Sequence, residues 1–262
     1  MDSIVAVDGM TARTVTWQWS DVDATTAPTH TQLTHRGGDA QLVVSAGRLV
    51  AGMGYAAASQ ATRRSLARVG ALVRLRERGR YLVHAAGAVD PDGRGWLLAG
   101  DSGAGKSTLA YALSRAGWTI LGDDGVLIER NGAGITAYAW RDPLNVSGAL
   151  ASAFPELHEH STRARANDLR RRIPMNVSCA RSARVSALIL VERANEHAVT
   201  KLGPLEALGA LVRQSPWVMI RDAHSRAHLD ALRSTANLPG FRLRHTPAEL
   251  HTIADVLGGM LS

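Results

Sequence analysis

The chain has a single cysteine, Cys179, two phenylalanines and only 5% aromatic residues in 262. One cysteine excludes an internal disulfide and suits a reducing, cytoplasmic setting. No apolar run approaches the roughly 18–20 residues that span a bilayer. The first residues, Met1 to Asp8, carry no basic stretch ahead of an apolar one, so no signal peptide is expected there. Lysine is also scarce: of 30 Lys and Arg residues, only Lys106 and Lys201 are lysine. The formal charge of +7 is therefore an arginine charge, which fits the residue usage of a GC-rich genome. Arg163, Arg165, Arg170, Arg171, Arg172, Arg181 and Arg184 cluster, and suit either a solvated face or contact with phosphate or an acidic peptide. Nucleic acid is not favoured as a partner, because no aromatic residues interleave with these arginines and no recognised module surrounds them.

Against that scarcity, the position of Lys106 is informative. It lies in Gly100-Asp101-Ser102-Gly103-Ala104-Gly105-Lys106-Ser107-Thr108, which matches the G-x-x-x-x-G-K-[ST] phosphate-binding loop. A compact ammonium fits between the β- and γ-phosphates of a nucleotide where the wide fork of arginine does not. The flanks agree. Asp90-Pro91-Asp92-Gly93 reads as a turn, Gly95–Ala99 as a strand buried on both faces, and Ser107 to Ala116 as a helix stopped by Gly117. Backbone N–H groups of the loop and the helix N-terminus would face the phosphates, and the Ser107 hydroxyl would ligate Mg²⁺. The expected ligands are ATP and Mg²⁺.

Trp118 to Leu121 reads as a second strand ending at Asp123-Asp124. Ligands of open α/β sheets bind beyond the carboxyl ends of strands. One of these carboxylates could hold the metal and the other take a proton from an attacking hydroxyl. The alternative is an Asp-Asp-Gly hairpin turn with no chemistry. His pairs at His158/His160 and His224/His228 raise a structural metal as a further option, with no third ligand at a helpful spacing.

His84-Ala85-Ala86-Gly87-Ala88-Val89, the loop from Gly100 to Thr108, and Leu121-Gly122-Asp123-Asp124 together resemble the HPr kinase/phosphorylase family over about residues 81–130. That family shares its core with phosphoenolpyruvate carboxykinase. The resemblance implies an α/β fold with a mixed sheet, a nucleotide held by Gly100 to Thr108, and an aspartate pair at Asp123 and Asp124 that supplies general base and metal contact. It also implies a histidine, His84, near the reacting phosphate; alone, His84 reads equally as a packed or capping residue. The E-x-R-G-x-G signature of bacterial HPr kinases is absent; the nearest stretch is Ala139-Trp140-Arg141-Asp142-Pro143. The resemblance therefore implies an HPr-kinase-like phosphotransferase acting on a Ser/Thr hydroxyl of a peptide or protein, such as a lasso peptide precursor, and a homo-oligomer. A kinase for a small metabolite such as serine, and a non-catalytic nucleotide-binding regulatory protein, stay open.

Two regions are expected. Residues 1–80 carry strands at Thr14–Trp19, Thr31–His35, Gln41–Ser45 and Arg48–Gly52. A helix from Tyr55 to Arg78 follows, with Leu66, Val69, Leu72, Val73 and Leu75 on its apolar side. Residues 81–262 form the kinase core. Its further strands are Ala133–Trp140, Ser186–Glu192 and an edge strand at Phe241–His245. Helices are expected at Leu205–Val212, at His224–Leu232 and from Pro247 to Leu261, the last capped by Thr246.

Overall fold

The computed structural model describes residues 14–132, 134–140, 144–146, 154–158, 171–173, 178–246 and 250–261. The chain divides into two compact units. One comprises residues 1–82 and 215–231, the other 83–214 and 232–262.

The first unit is built on a five-stranded antiparallel meander, β1 (Val15–Trp19), β2 (Val22–Ala27), β3 (His30–His35), β4 (Gln41–Ser45) and β5 (Arg48–Ala51). Alternation explains it: Val22, Ala24, Leu33, Leu42 and Val44 are buried while their neighbours face outward. Ala46 and Gly47 join β4 to β5 with φ of 48° and 69°, the left-handed pair that a two-residue hairpin requires. Helix α1 (Gln60–Glu77) covers the sheet with Leu66, Val69, Leu72 and Val73. It starts later than its apolar pattern suggests, because Ser59 caps it by accepting from the Thr62 N–H. Leu75, expected on the same side, is half-buried, whereas the neighbouring Arg76 is buried.

Arg76 is tolerated inside because its charge is met. It bonds both carboxylate oxygens of Asp222, at 2.8 and 3.2 Å, and lies 2.5 Å from Nδ1 of His228. Nε2 of His228 faces the Ser215 hydroxyl at 2.9 Å, and its ring stacks on Tyr81 at 4.3 Å. With both ring nitrogens engaged, His228 is a core residue and not a metal ligand. Among the described residues no group of three or more His, Cys, Asp or Glu is placed to hold a metal. The His158/His160 pair lies partly outside the described residues.

The chain passes through β6 (Arg80–Val83) into the second unit. There β7 (Ala86–Val89), β8 (Gly95–Ala99), helix α2 (Lys106–Arg115), β9 (Thr119–Gly122), β10 (Val126–Asn131) and β11 (Gly134–Ala139) follow in order. A short antiparallel pair, β12 (Leu144–Val146) and β13 (Arg171–Ile173), precedes the twelve-residue β14 (Ser182–Arg193). Next come β15 (Ala198–Lys201), α3 (Pro204–Arg213), α4 (Ser225–Ala236), β16 (Gly240–His245) and α5 (Ile253–Gly258). Of α4, only the residues from Leu232 onward belong to this unit.

The sheet is mixed, as expected for an α/β fold. Strand β14 runs parallel to both β8 and β16, while β7 is antiparallel to β8 and β9. Trp96, Leu98, Leu109, Leu113, Ile120 and Ile189 pack into its main core. Two expectations fail here. Strand β16 is internal, because β15 pairs along its other side and takes the edge. Alternation in Phe241–His245 could not reveal that, since the covering strand is short and mostly exposed. The last helix begins at Ile253 rather than at Pro247; residues 247–249 lie outside the described set. Of the arginine cluster, Arg163, Arg165 and Arg170 also lie outside it. No helix among the described residues is long and apolar enough to cross a membrane.

Candidate active site

Three segments meet where strands of the second unit's sheet begin and end, and strand polarity is the reason. Antiparallel pairing sets Ala86 against Leu98 and Gly87 against Gly122. The start of β7, just after His84, therefore lies beside the ends of both β8 and β9. From those ends emerge the loop Gly100–Gly105 and the pair Asp123-Asp124.

The loop follows a strand whose every residue is buried and opens directly into α2. Gly105 precedes the helix with φ +100°, and a Cβ there would come within 2.7 Å of His245 Nε2. Only glycine satisfies both conditions. Asp101, Ser102 and Gly103 are exposed; Ala104, Ser107 and Thr108 are half-buried. Lys106 is 7% exposed, and its ammonium donates to the carbonyl oxygens of Gly100, at 2.8 Å, and Asp101, at 3.2 Å. No acidic residue occupies the first turn of α2, so the helix N-terminus keeps its positive potential.

Asp123 and Asp124 differ sharply. Asp123 is 3% exposed whereas Asp124 is exposed. The turn that holds them needs Gly122, because a Cβ there would meet the Gly125 carbonyl oxygen at 2.3 Å. It is not a hairpin turn: β9 pairs with β7, and β10 with β11. His84 Nδ1 lies 3.1 Å from the Asp124 carbonyl oxygen and 3.3 Å from Oδ1 of its side chain. Both are acceptors, so Nδ1 carries the hydrogen. Burial, and after it the charge of Lys106, holds the His84 pKa below its usual value, against the opposing pull of Asp124.

Two further residues at this site escape motif reading. Gln214, just beyond α3, donates from Nε2 to Asp101 Oδ1 at 3.3 Å, and its backbone carbonyl accepts the His84 N–H at 2.7 Å. His245 donates from Nε2 to the Ala104 carbonyl at 3.0 Å. Both lie far from the loop in sequence, and no local pattern marks them.

The donor set suits a polyphosphate: a buried ammonium, a glycine loop and an acid-free helix N-terminus. Mg²⁺ takes one or two carboxylates and completes its shell with phosphate and water. Ser107 with Asp123 or Asp124 would supply donors of that kind.

No protein-family profile and no curated protein matches the chain. Among solved structures, it is similar to the Hpr(Ser) kinase/phosphatase from Coxiella burnetii, at 12% identity, 69% coverage of this chain, 87% coverage of that one and a TM-score of 0.37. At that identity no residue role passes from that protein to this chain.

Proposed function

We propose that this protein is an ATP-dependent kinase that transfers the γ-phosphoryl group to a Ser or Thr hydroxyl of a peptide or protein, such as a lasso-type precursor peptide. The observation that carries this reading is the meeting of Lys106, His84 and the Asp123-Asp124 pair beside one phosphate-type loop.

In this reading the amides of Gly100 to Thr108 hold the triphosphate. The Lys106 ammonium exchanges its two carbonyl partners for phosphate oxygens and offsets charge on the transferring group. Ser107 with Asp123 or Asp124 holds Mg²⁺, which when bound neutralises phosphate charge. The other carboxylate takes the proton of the acceptor hydroxyl as its oxygen bonds to the γ-phosphorus and the bond to the β-phosphate oxygen breaks, releasing ADP. His84 donates to Asp124 and fixes the direction of its carboxylate.

The test is incubation with γ-labelled ATP and Mg²⁺ alongside a serine-containing peptide, free serine, or no acceptor. Label on the peptide that is lost in the Asp123→Asn and Asp124→Asn variants supports the proposal. Label on free serine alone points to a metabolite kinase, and nucleotide binding without transfer to a regulatory protein. Transfer undiminished in both variants contradicts the assigned base.

A further inference from the structure

Gln214 and His245 are buried polar side chains, 2% and 4% exposed, that reach the same six-residue loop from independent elements. Gln214 follows α3 and bonds the side chain of Asp101, near the loop's beginning. His245 ends β16 and bonds the carbonyl of Ala104, near its end. Each has a second polar atom, Gln214 Oε1 and His245 Nδ1, that is buried without a hydrogen-bond partner among the described residues. A half-satisfied buried amide or imidazole is a burden on folding that a leucine of similar size would not impose. The bond each does make goes to the loop. The backbone carbonyl of Gln214 also accepts from the backbone N–H of His84, so one residue joins the loop to the bend between β6 and β7 that carries the histidine. The His245 ring lies against Gly105, where the loop becomes α2.

We infer that Gln214 and His245 are positioning residues that hold the phosphate-binding loop in its ligand-ready shape before the nucleotide arrives. The inference rests on the triphosphate reading of the loop. Preorganisation matters there because a glycine-rich segment loses more conformational entropy on ordering than any other, and two anchors remove that cost from the binding step. The anchors have separable effects. His245 acts at the mouth of α2 and sets affinity. Gln214 also ties Asp101 to the backbone that anchors His84, so loss of its amide uncouples the loop from that anchor and lowers the transfer rate at saturating ATP as well.

The experiment uses the intact chain, with Mg-ATP as probe, in titration calorimetry and amide hydrogen exchange. His245→Leu and Gln214→Leu are expected to bind about tenfold more weakly, the scale of one lost charge-free anchor bond. Exchange at amides 101–106 should quicken in both, while β8 and β14 stay protected. His245→Gln, which keeps an N–H donor, should recover most of the affinity. Affinities within about twofold of wild type in both leucine variants, with unchanged loop exchange, would overturn the inference, as would a His245→Gln variant as weak as His245→Leu. If His245→Leu does not fold, Gln214→Leu and His245→Gln decide by the same readings. A wild-type chain that binds no Mg-ATP would remove the triphosphate reading instead; loop exchange in the variants would still show whether these residues hold the loop.

Discussion

Nδ1 of His84 lies between two oxygens of a single residue, 3.1 Å from the backbone carbonyl of Asp124 and 3.3 Å from its carboxylate Oδ1. The pair forms one unit: the backbone contact fixes the ring, and the ring aims the carboxylate. Removing either member should therefore cost much the same. His84→Ala and Asp124→Asn should each slow phosphoryl transfer by about 10²–10⁴-fold, and the double variant should be little worse than the slower single. Initial rates at saturating ATP check this; additive losses would mean that the two act separately.

Gly105→Ala should be more damaging than its small size suggests. It places a Cβ at φ +100° and 2.7 Å from a buried ring. The left-handed backbone alone costs about 1–2 kcal/mol. A lowered melting temperature together with loss of nucleotide binding is expected. Gly103→Ala meets no neighbouring atom at its own positive φ of +85°, so only the backbone cost applies there.

The first unit should be acid-sensitive. His228, pushed down to about 3 by burial and then by the charge of Arg76, stays neutral in the folded chain, while its unfolded counterpart takes up a proton near 6.5. The unfolded state then binds more protons, so stability falls as pH drops from about 6.5 toward 3, by up to ~1.4 kcal/mol per pH unit. Asp222 acts in the same direction. Burial alone would raise its pKa, but the bonds from Arg76 outweigh that and hold it below the ordinary carboxylate value. Its stabilising contribution is lost at the acid end of the range, as pH falls through that lowered value. Thermal unfolding at pH 7 and pH 5 should show the loss, and His228→Gln should flatten the slope.

Ala46 offers a gain. It is a non-glycine residue at φ 48° in a two-residue hairpin turn ahead of Gly47. Ala46→Asn, which forms the Asn-Gly pair favoured in such turns, should stabilise the chain by about 0.5–1 kcal/mol. A thermal melt decides the sign.

Local pattern carried much of this architecture. The alternation around Leu33, Leu42 and Val44 locates the meander, and the run Gly95–Ala99 before a glycine loop locates β8 and α2. What local pattern could not convey was non-local pairing. Nothing in Val22–Ala27, with its three threonine and aspartate side chains, marks a strand until β1 and β3 flank it. Nothing in Phe241–His245 distinguishes an edge from an interior position. For the same reason the Lys106 loop and the Asp123-Asp124 pair stood out from local spacing and His84 only through the family resemblance, whereas Gln214 and His245 did not stand out at all. They reach the loop only through the folding of α3 and β16, more than a hundred residues downstream.

In the proposed reaction, residues 100–108 hold a triphosphate through the Lys106 ammonium. Titration of Mg-ATP into the intact wild-type chain and into Lys106→Ala and Lys106→Arg tests it most directly. Saturable binding in wild type is expected, weakened at least about tenfold in both variants, because alanine removes the charge and the arginine fork does not fit the loop. No binding in wild type, or equal affinity in Lys106→Ala, would contradict it.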